Sequence, residues 1–427
     1  MIKKSLLCKC SALLLAVCLL IGCGQPALTA SAEEPLNGMT SYVSSEMDKD
    51  SYATTKAAPA DEVRAIWISY LEFQTILQGK TEAQFTKSIQ TAFDNIVGYG
   101  LNTVFVHARP FGDALYDSDY FPWSHIATGT EGKDPGFDPL AIMVREAHSR
   151  GLRIEAWINP YRVRAANSKD KALHSSNQAQ KWLTAGDRSV VKQGDMITYN
   201  PASTKAQNLI VNGIKEIIQK YDVDGIHIDD YFYPTTAANF DQVEYDAYKA
   251  AGGTLSHASW RRSNVETLLK KIYAAVKAED AKLVFGISPQ SSVSNNYSQQ
   301  YLDVAKIVST TGYCDYVCPQ IYFGFDNEVQ PFAKTLDQWD DLIATSKIDL
   351  YVGVASYKIG TVDSWAKSGK NEWVNNKDLM ARMVEYSRLT DHYGGFVLYR
   401  YDSLFNPASS VKSHVQAENK NLKDILK

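Results

Sequence analysis

The chain has 427 residues, 45% of them hydrophobic and 22% charged, which suits a globular protein of one large domain or two ordinary ones. Its net charge of -4, with the basic residues scattered, argues against nucleic acid as a partner. The 25 tyrosines fit a sugar-binding cleft as well as an ordinary core and decide nothing alone.

The chain opens with a targeting pattern. Lys3 and Lys4 form a basic start, and Leu13 to Ile21 is an apolar run too short to span a bilayer. Leu20-Ile21-Gly22-Cys23 fits a lipobox, so residues 1–22 are expected to be a signal peptide and Cys23 a lipidated N-terminus. Cleavage after Ala30-Ser31-Ala32 is the alternative. Either route exports the protein, anchored to the cell membrane by lipid in the first and secreted in the second. Residues 23–60 are rich in Ser, Ala, Asp, Glu, Lys and Pro without periodicity, and read as a flexible tether.

From residue 61 to 427 short apolar runs alternate with helical stretches. Strands are expected at Val63–Ser69, Thr103–His107, Arg153–Ile158, Gly225–Asp229, Leu283–Ile287, Tyr316–Ile321, Leu350–Val354 and Gly395–Tyr399. Helical patterns lie between them and after the last. Eight βα pairs in strict alternation predict an α/β fold, a (β/α)8 TIM barrel forming a single domain. No G-x-G-x-x-G or Walker A pattern follows any strand, which excludes the common nucleotide-binding turns. The loops after the second, third and fourth strands are long, including Asn159–Pro201 and Thr235–Ser259, and would build a groove on the C-terminal face.

Candidate chemistry clusters at strand ends. The second strand leads into His107-Ala108-Arg109-Pro110-Phe111-Gly112-Asp113. Alternation puts His107 and Arg109 on one face, where Arg109 could hold a carboxylate or sugar hydroxyls, and Asp113 follows in the loop. An interior ion pair is the competing reading. On the third strand Arg153, Glu155, Trp157 and Asn159 alternate inward. Arg153 and Glu155 read as a buried pair, while Trp157 and Asn159 sit nearer the mouth. The fourth strand reads Asp224-Gly225-Ile226-His227-Ile228-Asp229-Asp230-Tyr231-Phe232-Tyr233-Pro234. Ile226 and Ile228 share one face, and Gly225, His227 and Asp229 the other. Adjacent carboxylates repel, so one stays ionised and the other holds its proton longer, the division that glycosidic cleavage needs. A structural carboxylate bound to arginine or capping the next segment is the bland alternative. His227, halfway along the strand, also reads as a satisfied interior histidine. The fifth, sixth and eighth strands end in Gln290, in Gln320 and Tyr322, and in Tyr399 and Arg400, hydrogen-bonding groups beside aromatics as in a carbohydrate site.

Cys314 and Cys318 would lie about 13 Å apart on one strand, too far for a disulfide. No cysteine spacing matches a zinc site, no carboxylate spacing points to a metal, and no cofactor is expected.

Together these stretches resemble the bacterial glycosyl-hydrolase-like family 10 proteins. The resemblance covers about residues 62–402. It rests on Glu62-Val63-Arg64-Ala65-Ile66-Trp67, Val106-His107-Ala108-Arg109-Pro110-Phe111-Gly112-Asp113-Ala114, Gly136-Phe137-Asp138-Pro139-Leu140, Ala156-Trp157-Ile158-Asn159-Pro160-Tyr161, the Asp224–Pro234 segment and Pro319-Gln320-Ile321-Tyr322. It implies a TIM barrel, export and hydrolysis of glycans, with peptidoglycan strands as the substrate class. The fourth strand also looks like chitinase-type family 18 enzymes, but Tyr231 replaces the acid of that pattern. It is similar to family 84 hexosaminidases, which use two adjacent Asp residues. There Asp229 would map onto the residue orienting the substrate's own acetamido group, and Asp230 onto the acid/base. An amylase-type pattern would make Asp229 a nucleophile, but His227 stands where that pattern has Arg and Gln290 where it has Glu.

The resulting expectation is an exported glycosidase for N-acetylated glycans, with Asp229 and Asp230 catalytic. His107, Arg109, Asp113, Trp157, Asn159, His227, Tyr231, Tyr233, Gln290, Gln320, Tyr322, Tyr399 and Arg400 would contact the glycan. The alternatives are a carbohydrate-binding lipoprotein without chemistry and an amylase-like α-glucan hydrolase. Oligomeric state stays open.

Overall fold

β-Branched and aromatic side chains dominate the short runs, and in a pleated strand they must point alternately to two faces. A computed structural model describes residues 56–166, 172–230 and 232–427. The signal peptide, Cys23, most of the tether and Tyr231 lie outside the described residues. The strands are β1 Val63–Ile68, β2 Thr103–Arg109, β3 Arg153–Ile158, β4 Arg162–Arg164, β5 Val190–Gln193, β6 Met196–Tyr199, β7 Gly225–Ile228, β8 Val284–Ile287, β9 Tyr316–Val317, β10 Asp349–Val354 and β11 Tyr393–Leu398. Eight of them close a parallel barrel in the order β1-β2-β3-β7-β8-β9-β10-β11, with β11 pairing back to β1. This is the (β/α)8 architecture.

The helices begin where a side chain can take up free backbone N–H groups. Thr81 caps Glu82–Tyr99 through a capping box with Gln84. Asp138 caps Pro139–His148, Ser203 caps Thr204–Lys220 and Ser256 caps His257–Glu279. Their apolar sides cover the outward residues of the strands, among them Ile66, Val104, Ile154, Ile226 and Phe285, all fully buried.

The long segments after β3 and β7 carry structure of their own. Residues 162–199 hold the small antiparallel sheet β4-β6-β5 and the helix Gln178–Thr184. After β7 come a short 3-10 turn at Ala238–Phe240 and the helix Gln242–Ala250. The sixth barrel strand is shorter than expected. Pro319 has no N–H to donate toward β10, so the regular strand ends at Val317, while Cys318 and Gln320 still donate to Ile287 and Pro289 on the β8 side. Cys314 and Cys318 are buried free thiols.

The inward residues fill the lumen. Val63, Ala65, Trp67, Phe105, Trp157, Tyr316, Cys318, Tyr351 and Val397 form one packed cluster. Gly286 is the space left for the Tyr316 ring, which a Cβ there would strike. A polar chain threads this core. Trp67 Nε1–H donates to His227 Nε2 at 3.1 Å. That assigns the His227 proton to Nδ1, which donates to the Tyr316 hydroxyl at 2.8 Å. Tyr316 in turn donates to Glu155 Oε2 at 2.5 Å. Burial drives His227 down to about 3, so it is neutral. The expected Arg153–Glu155 pair is long, 3.8 Å, with Arg153 reaching solvent.

Burial lifts the Glu155 carboxyl to about 7, against the pull of Arg153 and the Tyr316 hydrogen bond. A carboxyl whose folded pKa exceeds its unfolded value binds more protons when native, so its contribution to stability falls as pH rises from about 4.5 to 7. Glu155→Gln keeps an acceptor for Tyr316 and removes that titration. The stability of the variant relative to wild type should therefore climb between pH 5 and 8, by up to about 3 kcal/mol. Thermal melts across that range check this, and a flat difference would refute the raised pKa.

Candidate active site

Above the His227 layer, the next inward position of β7 is Asp229, at the C-terminal mouth. It is almost fully buried, while Asp230 beside it is partly exposed. Asn159, just past the end of β3, donates from Nδ2 to Asp229 Oδ1 at 2.5 Å. Two donors settle the orientation of that amide. The backbone N–H of Tyr70 donates to His107 Nδ1 at 3.1 Å, so His107 carries its proton on Nε2 and donates to Asn159 Oδ1 at 2.8 Å. Arg162 Nη2 donates to the same oxygen at 3.0 Å. With its oxygen so occupied, Asn159 can only turn its NH2 toward the carboxylate. Burial, and then the charge of Arg162, hold His107 well below the ordinary imidazole range, so it stays neutral.

Asp230 has a different environment. Burial raises its carboxyl above the usual range, opposed by hydrogen bonding from Gln320 and Gln290 and by the charge of Arg162. Gln290 Nε2 lies 3.5 Å from Asp230 Oδ2. Gln320 also donates to the Ser288 carbonyl at 3.2 Å, which ties the ends of β8 and β9 together. One carboxylate is thus fixed by a rigid amide, while its neighbour favours its proton. Adjacent groups held this way can act as acceptor and acid.

Aromatic rings edge the mouth. Tyr322 stacks on Tyr399 at 5.7 Å and 26°, and Tyr357 meets both edge-on at 5.8 and 5.9 Å. Tyr70 packs against His107 and Phe111. Arg162 lies over the rings of Phe111 and Tyr70. Tyr70, Arg162 and Tyr357 were missed from sequence. Tyr70 and Tyr357 each lie within three residues of a strand end, which could have flagged them. Arg162 lies three residues past Asn159 and had no such signal.

Several expected ligand contacts are corrected. Arg109 does not share a face with His107, because a β-bulge between them shifts the register and pairs Arg109 with the outward-facing Ile158. Arg109 is buried beneath the β2 loop, over the Phe121 ring and near the Phe111 carbonyl. Asp113 is buried as well and accepts from the backbone and ring nitrogens of His125. Tyr233 donates to Asp241, which also takes Arg261 and His257 and so staples the β7 loop. Arg400 is held by the buried Glu72 at 2.5 Å. His227 and Trp157 belong to the barrel interior, one in the polar chain and the other stacked on His107 at 3.4 Å. His107 supports Asn159 from below instead of facing the groove. Asp229, Asp230, Asn159, Gln290, Gln320, Tyr322 and Tyr399 do come together at the mouth. Among the described residues no group of three or more His, Cys, Asp or Glu side chains could hold a metal ion.

The sequence profile of the family described as "Glycosyl hydrolase-like 10" matches residues 62–374. The chain is 34% identical to "Glycosyl hydrolase YngK" of Bacillus subtilis (strain 168) over 356 residues, 78% of this chain and 68% of that protein. It is 30% identical to "Glycosyl hydrolase DigH" of Escherichia coli (strain K12) over 344 residues, 74% of this chain and 75% of that protein. Among solved structures, the glycoside hydrolase domain of PgaB from Bordetella bronchiseptica aligns with a TM-score of 0.54 at 9% identity, covering 86% of this chain and 99% of that one. The catalytic domain of β-amylase from Paenibacillus polymyxa aligns with a TM-score of 0.53 at 12% identity, covering 87% and 100%. These two likenesses concern the fold alone.

Proposed function

The chain belongs to the glycosyl hydrolase-like 10 family, and from that premise we propose an exported glycosidase that cleaves N-acetylated glycans, with peptidoglycan strands as its substrate. The observation that carries this reading is the unequal setting of two adjacent carboxylates at one strand end. Asp229, fixed in place by Asn159, is the carboxyl that would accept the N–H of a 2-acetamido group. Polarised in this way, the acetamido oxygen attacks the anomeric carbon as the glycosidic bond breaks. Asp230 gives its proton to the departing oxygen. It then takes a proton from the water that opens the cyclic intermediate, which regenerates both carboxyls. Gln290 stands where an amylase-like reaction would need a carboxylic acid, and it donates toward Asp230 instead.

Side-by-side incubation with peptide-free peptidoglycan strands, chitin oligomers and maltodextrin tests the reaction, with products read by mass spectrometry. Products are expected from the N-acetylated polymers only. Asp229→Asn and Asp230→Asn should each lose about 10²–10⁴-fold in turnover. Efficient maltodextrin cleavage would favour the α-glucan reading, and binding without product the carbohydrate-binding one.

The pH profile offers a second check. Chemistry requires protonated Asp230, so activity fails as pH rises through its pKa. Gln290 and Gln320 favour the charged form. Gln290→Leu and Gln320→Leu should therefore raise that pKa and move the alkaline limb of kcat/KM to higher pH. An unmoved limb would take the acid role from Asp230.

Export rests on the lipobox ending at Cys23. Cys23→Ser should release the full chain from the membrane fraction of a bacterial host. Release of the wild type as well would favour cleavage at Ala32.

A further inference from the structure

Among the described residues four large apolar side chains are more than half exposed: Val243, Val329, Val362 and Trp365. Three of them sit on two neighbouring loops of the C-terminal face, those after β9 and β10. Exposed apolar side chains scattered singly are ordinary, but a cluster on the face that carries the site marks a contact surface. Trp365, at 64% exposure, is the largest of them.

The two loops hold this cluster rigidly. Glu372 accepts the backbone N–H groups of Phe325 and Asp326, each at 3.0 Å. Ser368 bonds Glu328 through both its N–H and its hydroxyl. Gly369 lies so close to the Asp326 carbonyl that no Cβ could fit there. Lys358 pairs with Asp363 at 2.7 Å, and Asp363 accepts the N–H of Trp365 at 3.2 Å. With its backbone held this firmly, Trp365 gives up little main-chain entropy when a ligand stacks on it.

The loop that carries the patch is tied to the candidate site. Tyr322, beside Gln320 and stacked on Tyr399, is followed by Phe323. Lys358 lies over the Phe323 ring at 5.2 Å and leads through Asp363 to Trp365. This chain of contacts links the mouth to the loop that carries Trp365. Lys367 and Lys370 flank Trp365 in solvent.

We propose that Trp365, with Val362 and Val329, forms a distal subsite that stacks on sugar rings of a glycan chain whose reacting bond lies at Asp229 and Asp230, and that Lys367 and Lys370 favour an anionic substituent on that chain. The occupant follows from this link to the mouth, since a polymer engaged there extends outward over the loops of the C-terminal face. The inference rests on the glycosidase reading for the location of the reacting bond. The subsite makes long strands better ligands than short oligomers.

The test uses the full chain and its Trp365→Ala and Trp365→Tyr variants. Binding of peptidoglycan strands and of short chitin oligomers is measured by sedimentation and titration calorimetry, and turnover of both is recorded in parallel. Trp365→Ala should weaken polymer binding about tenfold and leave short-oligomer binding unchanged, and Trp365→Tyr should restore most of the loss. Weaker polymer binding in a protein that turns over nothing would keep the subsite and overturn the glycosidase reading. Normal turnover with polymer binding unchanged in Trp365→Ala would overturn the subsite alone. Binding of phosphatidylglycerol vesicles that falls in Trp365→Ala, with glycan binding intact, would overturn it in favour of a membrane contact.

Discussion

A closed barrel of eight parallel strands has a lumen that side chains must fill, and a polar group placed there is costly unless it finds a partner inside. That constraint organises this molecule. Trp67, His227, Tyr316 and Glu155 satisfy one another in sequence across the core, and each hydrogen bond determines the next proton position. One layer higher the same rule holds with different residues. The backbone of Tyr70 assigns the proton on His107, His107 and Arg162 orient Asn159, and Asn159 fixes Asp229. The polar arrangement at the mouth is an extension of the packing beneath it, so the site inherits the rigidity of the core.

The two neighbouring aspartates show how far surroundings outweigh identity. Asp229 follows the alternation of β7 and points inward to meet Asn159. Asp230 is the next residue and turns toward the ends of β8 and β9, where Gln290 and Gln320 face it and burial favours its protonated form. A single-residue step along the backbone separates an acceptor held by an amide from a group suited to giving up a proton.

The loops add a further layer of control. Asp241 gathers Tyr233, Arg261 and His257 and holds the segment that follows the aspartates. Glu372 and Ser368 join the loops after β9 and β10. One anchor lies in the loop that begins at the aspartates and the other more than 130 residues further along, and both hold loops of the C-terminal face that the barrel strands alone would leave free.

Much of the barrel was legible in the sequence, because strand alternation and helical periodicity are local. The eight apolar runs, the helical patterns between them, and the facing of Ile226 and Ile228 against His227 and Asp229 all depend on neighbours a few residues apart. The β-bulge that turns Arg109 outward, the hairpin sheet that brings Arg162 over Asn159, and the burial of Tyr233 against Asp241 do not. The first two depend on strand pairing with a distant part of the chain and the third on how the loop folds back on itself, and one extra residue in a strand reverses every facing after it. The sequence by itself determined the family, the barrel and the pair of aspartates at its mouth. Only the tertiary structure decided which polar residues support those aspartates from below and which lie beside them at the mouth, because burial and hydrogen-bond partners are properties of the closed barrel.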